Sequence, residues 1–371
     1  MKYYLIAGER SGDLHAANLM EQLSSMDQQA VFRGMGGGYM EKAGLEVAAY
    51  YDEMAMMGFV EVLLGFRKVI RYLSFIKKDL QRFKPDALIL IDYGGFNMKI
   101  AKFAFKVGIP VHYYIPPKVW AWNQRRALTL KKYVTSLYTI LPFEPDFFST
   151  YDWEVPYVGN PVRDELLKFI PNPFFKSENG LDEKPIIALL PGSRKQEITG
   201  MLQTMLGVVK HFPHWRFVVA GVDNLPADIY HDAKRHGIKT VFNQTYDLLN
   251  VARAAVVTSG TATLETALFN VPQVVVYKTS PITYRIAKQL VKIPFISLVN
   301  LIAGEEVVRE LIQDDYSDRG LVEELSAIAV EGPKRQAVLE GYADIEEKIG
   351  HKKASQETAR LIFESLSMAQ I

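Results

Sequence analysis

An aspartate that follows an apolar run is the first residue whose position suggests chemistry. Residues 87–91 read Ala-Leu-Ile-Leu-Ile, which is typical of a strand buried on both faces, and Asp92 follows directly. Open α/β sheets bind ligands at the carboxyl ends of their strands, so Asp92 would lie at the ligand edge. Apolar surroundings favour a raised pKa, which would suit Asp92 to general-base catalysis. Capping the turn or bonding its own loop explains this position equally well.

A turn rich in glycine and acid follows the first strand-like run, residues 3–7. The turn reads Gly-Glu-Arg-Ser-Gly-Asp, which lacks the spacing of a dinucleotide fingerprint, and its acids would repel a pyrophosphate. Carboxylates beside flexible backbone better suit a ligand that is rich in hydroxyl groups, such as a sugar. The predicted contact residues are Glu9, Ser11, Gly12 and Asp13. Helix capping by Ser11 or Asp13 is a compatible alternative.

Two later turns have the opposite electrostatic character and favour an anion. Residues 256–265 read as a strand, a turn of small and hydroxylated residues, and a helix start, whose N-terminus attracts negative charge. Residues 189–194 end another strand, where Arg194 could clamp a phosphate or pair with Glu197 instead. Glu265 could accept hydrogen bonds from ribose hydroxyls, although a tight, hydroxyl-capped turn explains this segment structurally. The predicted nucleoside diphosphate site comprises Arg194, Glu197, Ser259, Gly260, Thr261, Ala262, Thr263 and Glu265.

The elements that must position these residues alternate between strand-like and helical segments along nearly the whole chain. Such alternation predicts an α/β fold with parallel sheets covered by helices on both faces. The irregular composition near residues 171–183, with prolines, asparagine and glycine, indicates a linker. We therefore predict two doubly wound, Rossmann-like domains, at residues 1–165 and 166–345.

The composition excludes several classes of function. The chain has 371 residues and no cysteine, which excludes disulfide frameworks, cysteine-ligated zinc and thiol catalysis. A net charge of +1 argues against a global polyanion-binding field, so nucleic acid is not expected as a partner. The seven histidines show no ligand-like spacing, and we expect neither a metal nor another cofactor. No apolar window is long enough for a transmembrane helix.

In their order along the chain, these motifs resemble the lipid-A-disaccharide synthases, a bacterial family of glycosyltransferases with the GT-B architecture. The resemblance covers nearly the whole chain. It rests on residues 7–13, 57–62, 91–92, 96–97, 119–122, 190–197, 259–265 and 300–304. Where some relatives carry a second acid soon after Asp92, this chain has Gly94 and Gly95, which concentrates the base role on Asp92.

The resemblance implies an inverting hexosyl transfer in lipid A assembly. UDP-2,3-diacylglucosamine would donate its sugar to 2,3-diacylglucosamine 1-phosphate (lipid X), giving a β-1,6-linked disaccharide 1-phosphate and UDP. Asp92 would remove the proton from the acceptor 6-hydroxyl. The two sheets would face each other across a cleft, and a C-terminal helix, residues 346–371, would be free to pack back on the first domain. Further predicted substrate contacts are Asn97, Trp122 and Asn300, although paired tryptophans are more often core residues.

Residues 54–78 form an apolar stretch followed by basic residues. Because both implied substrates are acylated, the resemblance suggests that this stretch has a role in binding lipid. Val69, Ile70 and Leu73 belong to a core-facing helical stripe, which leaves further apolar residues in excess. We predict that the region forms the acyl-chain entrance and docks a cytoplasmic, peripheral protein on the inner membrane. The predicted residues are Met56, Met57, Phe59, Leu63, Leu64, Arg67, Lys68 and Arg71. An ordinary buried helix hairpin is the alternative, and a homodimer is left open.

Two other functions fit parts of the pattern. A GT-B enzyme such as a UDP-GlcNAc 2-epimerase would use a UDP-sugar but would need no groove for acyl chains. A non-catalytic nucleotide-sugar or lipid-binding protein would bind UDP but would have no use for a positioned Asp92.

Overall fold

The chain divides into two compact units, Met1–Asp164 with His351–Ile371, and Glu165–Gly350. The computed structural model describes residues 1–55, 62–291 and 293–368, apart from the side chains of residues 54–55, 62–67 and 286–287. Each unit contains a six-stranded sheet in which the neighbouring strands run parallel. This confirms the predicted α/β architecture with two doubly wound, parallel sheets.

The sheet of the first unit has the doubly wound strand order β3-β2-β1-β4-β5-β6. Its strands are β1 (Lys2–Ala7), β2 (Val31–Gly36), β3 (Glu46–Tyr50), β4 (Ala87–Ile91), β5 (Val111–Tyr114) and β6 (Ser136–Tyr138). The direction of winding reverses between β1 and β4, and such a switch point is where open α/β sheets bind ligands. Ala7 is the register partner of Ile91, so these two strands end side by side.

Helices connect these strands and cover both faces of the sheet. They are α1 (Arg10–Met26), α2 (Gly38–Lys42), α3 (Asp52–Ala55), α4 (Val62–Phe83), α5 (Gly94–Lys106), α6 (Val119–Trp122), α7 (Arg126–Tyr133), α8 (Glu144–Ser149) and α9 (Pro161–Lys168), which contains the boundary between the units.

The second unit repeats the same winding, with the strand order β12-β11-β10-β7-β8-β9. Its strands are β7 (Ile186–Leu190), β8 (Arg216–Gly221), β9 (Lys239–Phe242), β10 (Ala252–Thr258), β11 (Gln273–Tyr277) and β12 (Glu310–Ile312). The switch point here lies between β7 and β10, where Leu190 is the register partner of Val257. Each sheet therefore presents one switch point at which two strand ends meet.

The helices of the second unit and the C-terminal helix complete the fold. They are α10 (Phe175–Glu178), α11 (Lys195–Gly207), α12 (His231–Arg235), α13 (Thr245–Val251), α14 (Thr261–Leu268), α15 (Pro281–Leu290), α16 (Leu298–Ala303), α17 (Asp318–Ala329), α18 (Pro333–Ile349) and α19 (Ala354–Met368). Helix α19 belongs to the first unit, together with α1 to α8.

The core of the first unit has two layers because successive side chains of a strand point to opposite faces. Tyr4 and Ile6 of β1 pack in one layer with apolar residues of α4, α5 and α7. Leu5 of β1 packs in the other layer with α1 and with Ile362 of α19. Burial on both faces explains why β1 and β4 read as continuous apolar runs.

The core of the second unit is built in the same way. Ile186, Ala188 and Leu190 of β7 are buried together with Val218 of β8 and Val257 of β10, and the cluster extends to α10 and α13. These residues are the apolar runs that the sequence marks as strands.

Some strands and the orientation of one side chain differ from the sequence predictions. Strands β2, β3 and β12 were not predicted, because β2 is rich in glycine and the other two are short and only partly buried. Residues 156–158 read as a short strand in the sequence, but they contribute an isolated bridge between Thr139 and Tyr157. In α4, Leu73 faces the core as predicted, but Ile70 does not, since 47% of its surface is exposed.

A buried carboxylate holds the start of α19, whose apolar face packs in the core of the first unit. Asp164 accepts hydrogen bonds from the backbone amides of Ala354 (3.0 Å) and Ser355 (2.8 Å), which are the first two residues of α19. These amides have no partner within the helix, so Asp164 takes the part of a helix cap from elsewhere in the chain.

We expect Asp164→Ala to lower the free energy of unfolding by about 1–2 kcal/mol, as loss of a helix cap does. Urea unfolding followed by circular dichroism measures the change. Asp344→Ala, at an exposed position of α18, is the matched control and should change stability by less than about 0.5 kcal/mol. Equal effects of both variants would contradict the assignment.

Candidate functional site

The switch point of the first unit is formed by backbone in an unusual conformation. Asp92 (φ 47°) and Tyr93 (φ 49°), which follow β4, and Ile115 (φ 60°), which follows β5, all lie in the left-handed region. For residues other than glycine this conformation costs about 1–3 kcal/mol each, and a β-branched residue rarely adopts it. Strain of this kind clusters at functional sites, so it independently points to the edge where Asp92 lies.

Hydrogen bonds to the backbone hold the Asp92 peptide in place. The Asp92 amide donates to the carbonyl oxygens of Tyr114 (3.3 Å) and Ile115 (3.2 Å). Its own carbonyl accepts from the Tyr113 hydroxyl (2.6 Å) and from Nδ2 of Asn97 (2.8 Å). The Asp92 side chain is half-buried at the end of the strand. Its raised pKa stays a prediction.

Asn97, which was predicted to contact substrate, has a different position. It lies within α5 and is completely buried, and its Nδ2 donates to the carbonyls of Ile91 (3.2 Å) and Asp92. Its amide therefore supports the loop beneath the site and is not available to a ligand. The prediction of a direct contact is corrected accordingly.

The turn after β1 lies beside Asp92. The Tyr93 ring lies against Gly8 so closely that a β-carbon there would overlap it, which explains the glycine. Burial raises the pKa of Tyr93, and the Glu9 carboxylate raises it further, so Tyr93 and Glu9 are neighbours. Glu9 is half-buried and Ser11 is exposed at the start of α1, as contacts for a ligand would have to be.

Asp13 and Gly12 have structural positions in the same turn. Asp13 is almost completely buried, and its carboxylate accepts hydrogen bonds from the amides of Gly37 (2.7 Å), Tyr39 (3.0 Å) and Met40 (3.2 Å). It thus caps α2 rather than α1, and its predicted contact with sugar hydroxyls is not supported. Gly12 is buried beside Ala7 and Ile91, at the ends of β1 and β4.

The two tryptophans of α6 have separate roles. Trp120 is buried and donates to Oε1 of Glu144 (3.0 Å), whose Oε2 accepts from the amides of Ile140 and Leu141 (both 3.0 Å). Burial raises the pKa of Glu144. The three hydrogen bonds oppose this rise. Trp122 is 48% exposed, which is consistent with the predicted ligand contact.

In the second unit, the turn after β7 begins α11. Glu197 accepts hydrogen bonds from the amides of Ser193 (3.1 Å) and Arg194 (3.2 Å) and thereby caps the helix. The Arg194 guanidinium lies 3.5 Å from the Glu197 carboxylate. The two side chains therefore pair, which was the alternative to phosphate binding by Arg194. Both are near the surface, where such a pair contributes little, so a phosphate could compete for Arg194. Glu197 is assigned to the cap instead of to direct ligand binding.

The turn after β10 has the geometry expected of an anion site. Gly260 has extended backbone and precedes α14, whose first residue, Thr261, is exposed. The Thr263 hydroxyl donates to the Gly260 carbonyl (2.8 Å), and the Ser259 hydroxyl donates to the Ile296 carbonyl (2.8 Å). These hydroxyls shape the turn, which leaves the amides at the start of α14, including that of Ala262, to face a ligand.

Glu265 lies one turn into α14 and is half-buried. Burial raises its pKa to about 7, and the charge of Glu165 adds to this effect. The Tyr246 hydroxyl, which donates to Oε1 of Glu265 at 3.2 Å, opposes the rise. The sequence gives no signal for Tyr246, which lies in a different helix.

Asn300, predicted to lie near the donor, is completely buried with its amide fully engaged. Nδ2 donates to Val308 (2.8 Å) and to Glu310 (2.9 Å), while Oδ1 accepts from the amides of Val307 (2.9 Å) and Val308 (3.0 Å). A direct contact is therefore corrected to support of a loop. Glu310 also accepts from the Ile296 amide (2.9 Å), so the network extends to the carbonyl that Ser259 binds.

The predicted acyl-chain region is only partly within the described residues. Lys68 donates to the Glu53 carbonyl, and Arg71 is exposed on α4. The other predicted residues, or their side chains, lie outside the described residues: Met56, Met57, Phe59, Leu63, Leu64 and Arg67.

Metal-binding clusters and membrane-spanning helices are absent from the part of the chain that the structure describes. That part holds no group of three or more His, Asp and Glu residues that could bind a metal ion. It also contains no helix that is both long and apolar enough to span a bilayer.

The structure thus gathers the predicted residues into two groups, one in each unit. In the first unit, the turn after β1 meets the turn that carries Asp92. In the second, the Arg194 turn meets the Ser259–Thr263 turn, because Leu190 and Val257 are register partners at the ends of β7 and β10. The residues that the sequence did not single out are Tyr93, which directly follows Asp92, and four that packing brings to the site: Tyr113, Glu144, Tyr246 and Glu310.

Comparison with protein families gives a match over nearly the whole chain. The model of the family described as lipid-A-disaccharide synthetase matches residues 3–363. A lipid-A-disaccharide synthase of Syntrophotalea carbinolica is 36% identical, covering 97% of this chain and 94% of that protein. One of Geobacter metallireducens is 35% identical, covering 98% of this chain and 96% of that protein.

Solved structures share the fold at low sequence identity. A UDP-GlcNAc 2-epimerase from Methanocaldococcus jannaschii, in complex with UDP-GlcNAc and UDP, has a TM-score of 0.66 and 12% identity, covering 98% of this chain and 100% of that one. CalG4, the calicheamicin glycosyltransferase, has a TM-score of 0.61 and 15% identity, covering 99% of this chain and 98% of that one. At such identities the likeness shows a shared fold alone.

We expect Glu265→Gln to stabilise the protein increasingly as the pH rises from 5 to 8. An unfolded glutamate ionises near pH 4.5 and this one near 7, so the parent protein loses stability as the pH rises between these values. The free energy of unfolding of Glu265→Gln should exceed that of the parent by about 3 kcal/mol at most. Urea unfolding at several pH values measures it. The exposed Glu323→Gln is the control, and parallel curves for parent and Glu265→Gln would contradict the raised pKa.

Proposed function

Since the chain belongs to the lipid-A-disaccharide synthase family, we propose which substrates it takes and which residues carry out the transfer. The protein is a hexosyltransferase of lipid A biosynthesis. We assign UDP-2,3-diacylglucosamine as the donor and 2,3-diacylglucosamine 1-phosphate as the acceptor. The observation that carries the residue assignment is Asp92, held on strained backbone at the switch point of the first sheet.

The proposed reaction is a single displacement with inversion. The acceptor 6-oxygen attacks the anomeric carbon of the donor, and the bond from that carbon to the UDP oxygen breaks. Asp92 takes the proton of the attacking hydroxyl, and the bonding electrons leave with UDP. An oxocarbenium-like transition state is expected by analogy with glycosidases. Glu9 and Ser11 lie beside Asp92 and would orient the hydroxyl groups of the sugar.

The second unit would hold UDP at its own switch point. The departing diphosphate gains negative charge, which the amides at the start of α14 and the Arg194 guanidinium would stabilise. Glu265 would accept hydrogen bonds from the ribose. Charge stabilisation in this proposal comes from protein groups, and no metal or other cofactor takes part in it.

The epimerase alternative is not favoured. The epimerase likeness is a likeness of fold at 11–15% identity, whereas synthases at about 35% identity cover nearly the whole chain. An inert binding protein does not account for the strained backbone that presents Asp92.

We expect Asp92→Asn to lower kcat at least about 100-fold, as loss of one transition-state group does. Asparagine tolerates the left-handed conformation of residue 92, so the variant should fold and bind UDP like the parent. UDP release in detergent, with both acylated substrates present, measures the rate.

The exposed Asp344→Ala is the control for this experiment and should release UDP at the rate of the parent. Undiminished turnover of Asp92→Asn would move the base to another residue, with Glu9 next. A folded parent that binds UDP but releases none from the two lipids would contradict the substrate assignment.

Charge on the first unit supports docking on an anionic lipid surface. The three helices α4, α5 and α7 cover one face of its sheet and carry twelve lysine and arginine residues, against a single acidic residue. That residue, Asp79, is buried and paired with Arg33. The chain as a whole has a net charge of +1, so this positive charge is segregated on one side.

Exposed apolar side chains accompany these charges. Ile70 (47% exposed) and Phe75 (44%) lie on α4, Phe105 (54%) lies on α5, and Leu128 (55%) lies on α7. Apolar groups among basic ones are the pattern of proteins that lie on the membrane interface. We propose that this face, together with the stretch at 54–66, docks peripherally on the cytoplasmic side of the inner membrane.

Replacing Ile70 and Phe75 together by serine should reduce flotation with vesicles that contain phosphatidylglycerol by about tenfold, because two apolar anchors are lost. The matched control is Leu167→Ser with Ile170→Ser, which removes two even more exposed apolar residues elsewhere and should float like the parent. Unchanged flotation of the first variant, or equal binding to neutral vesicles, would contradict the proposed face.

A further inference from the structure

Two buried side chains converge on a single backbone oxygen at the proposed catalytic aspartate. The Tyr113 hydroxyl and Nδ2 of Asn97 lie 2.6 and 2.8 Å from the Asp92 carbonyl oxygen. Both side chains are completely buried. They come from different elements, β5 and α5, which approach the end of β4 from two sides.

The Asn97 side chain uses its amide nitrogen as a donor but, within the described part of the chain, does not use its amide oxygen as an acceptor. Nδ2 serves the carbonyls of Ile91 and Asp92, while Oδ1 is buried and makes no hydrogen bond to the described residues. A side chain chosen for packing would not leave a buried amide oxygen without a partner, since this is costly. Asn97 is therefore explained by the two carbonyl oxygens that it holds.

The position of the Asp92 carbonyl fixes the direction of the Asp92 side chain. Asp92 is a left-handed residue, so rotation about its N–Cα bond toward ordinary backbone would relieve strain, and this rotation moves the carbonyl carbon and the β-carbon together because both are bonded to the α-carbon. That rotation would swing the carbonyl away from Tyr113 and would turn the carboxylate with it. The two donors oppose the rotation because both hydrogen bonds would be lost together.

We propose that Tyr113 and Asn97 are positioning residues, which hold the Asp92 backbone carbonyl so that the carboxylate stays aimed at the acceptor hydroxyl. This inference rests on the proposed function, in which Asp92 is the base. Neither residue touches substrate, and neither exchanges a proton. Their contribution to catalysis passes entirely through Asp92.

A double-mutant cycle separates positioning from mere stability. Tyr113→Phe removes one hydroxyl with little change in packing. In the parent it should lower kcat about tenfold, with both KM values within twofold, because misorientation of a catalytic group affects the chemical step. In the Asp92→Asn background the same substitution should change the residual rate less than twofold, since the group that it positions is gone.

Two further variants accompany the cycle. Asn97→Leu removes the second donor at similar volume and should behave as Tyr113→Phe does. Tyr138→Phe is the matched control: Tyr138 is an equally buried tyrosine on the neighbouring strand β6, and its hydroxyl is bonded to His112 (2.8 Å) and not to Asp92. It should leave kcat within twofold of the parent.

The outcomes distinguish the proposals. If Asp92→Asn is as active as the parent, the base assignment fails and the positioning proposal fails with it. If Asp92→Asn collapses but Tyr113→Phe and Asn97→Leu keep full kcat, only the positioning proposal is overturned. Equal losses from Tyr113→Phe in both backgrounds, or an equal loss from Tyr138→Phe, would show a structural role and would also overturn it.

Discussion

The reversal of winding between adjacent parallel strands is the constraint on which the proposed site in each unit depends. Two neighbouring strands then end side by side while their connections leave in opposite directions, which opens a crevice at the sheet edge. In the first unit, β1 and β4 end there with the Glu9 turn and Asp92. In the second, β7 and β10 end there with Arg194 and the Ser259–Thr263 turn. One topological rule, used twice, thus provides the strand ends at which proton transfer and diphosphate binding are proposed.

Around each crevice, buried and half-buried polar side chains fix the backbone of the proposed site. Asp13 holds the chain at Gly37, Glu144 anchors Trp120, and Asn300 with Glu310 supports the loop that Ser259 contacts. Each is buried or half-buried, where an unsatisfied polar group is costly, so these bonds specify one loop conformation. Buried amides and carboxylates in this enzyme therefore serve mainly as internal supports.

Much of the fold and the location of the site could be predicted from the sequence, whereas the division of labour within the site could not. Continuous apolar runs such as 87–91 indicate buried parallel strands. Asp92 and Gly260 follow such runs and therefore indicate the edge of the sheet at which ligands bind. Asn97 and Asn300 lie in motifs as prominent as Asp92, but burial assigns them to loops, and only three-dimensional packing decides burial. Tyr113 and Tyr246 carry no local signal, because each reaches the site from a separate element. Ile70 was predicted to face the core but is exposed, because the apolar stripe of α4 is wider than the face that the core can cover.

The return of the chain to the first unit has a consequence for biosynthesis. Residues 165–350 form a continuous unit inserted between two parts of the other, whose core includes Ala354, Ala359, Ile362 and Leu366 of α19. During translation the inserted unit has all of its sequence available first, whereas the first unit must wait until α19 has left the ribosome. Until then the apolar face of α1 lacks its cover, and such transiently exposed surface is prone to aggregation. The nascent enzyme therefore exposes this face of α1 until α19 has been synthesised.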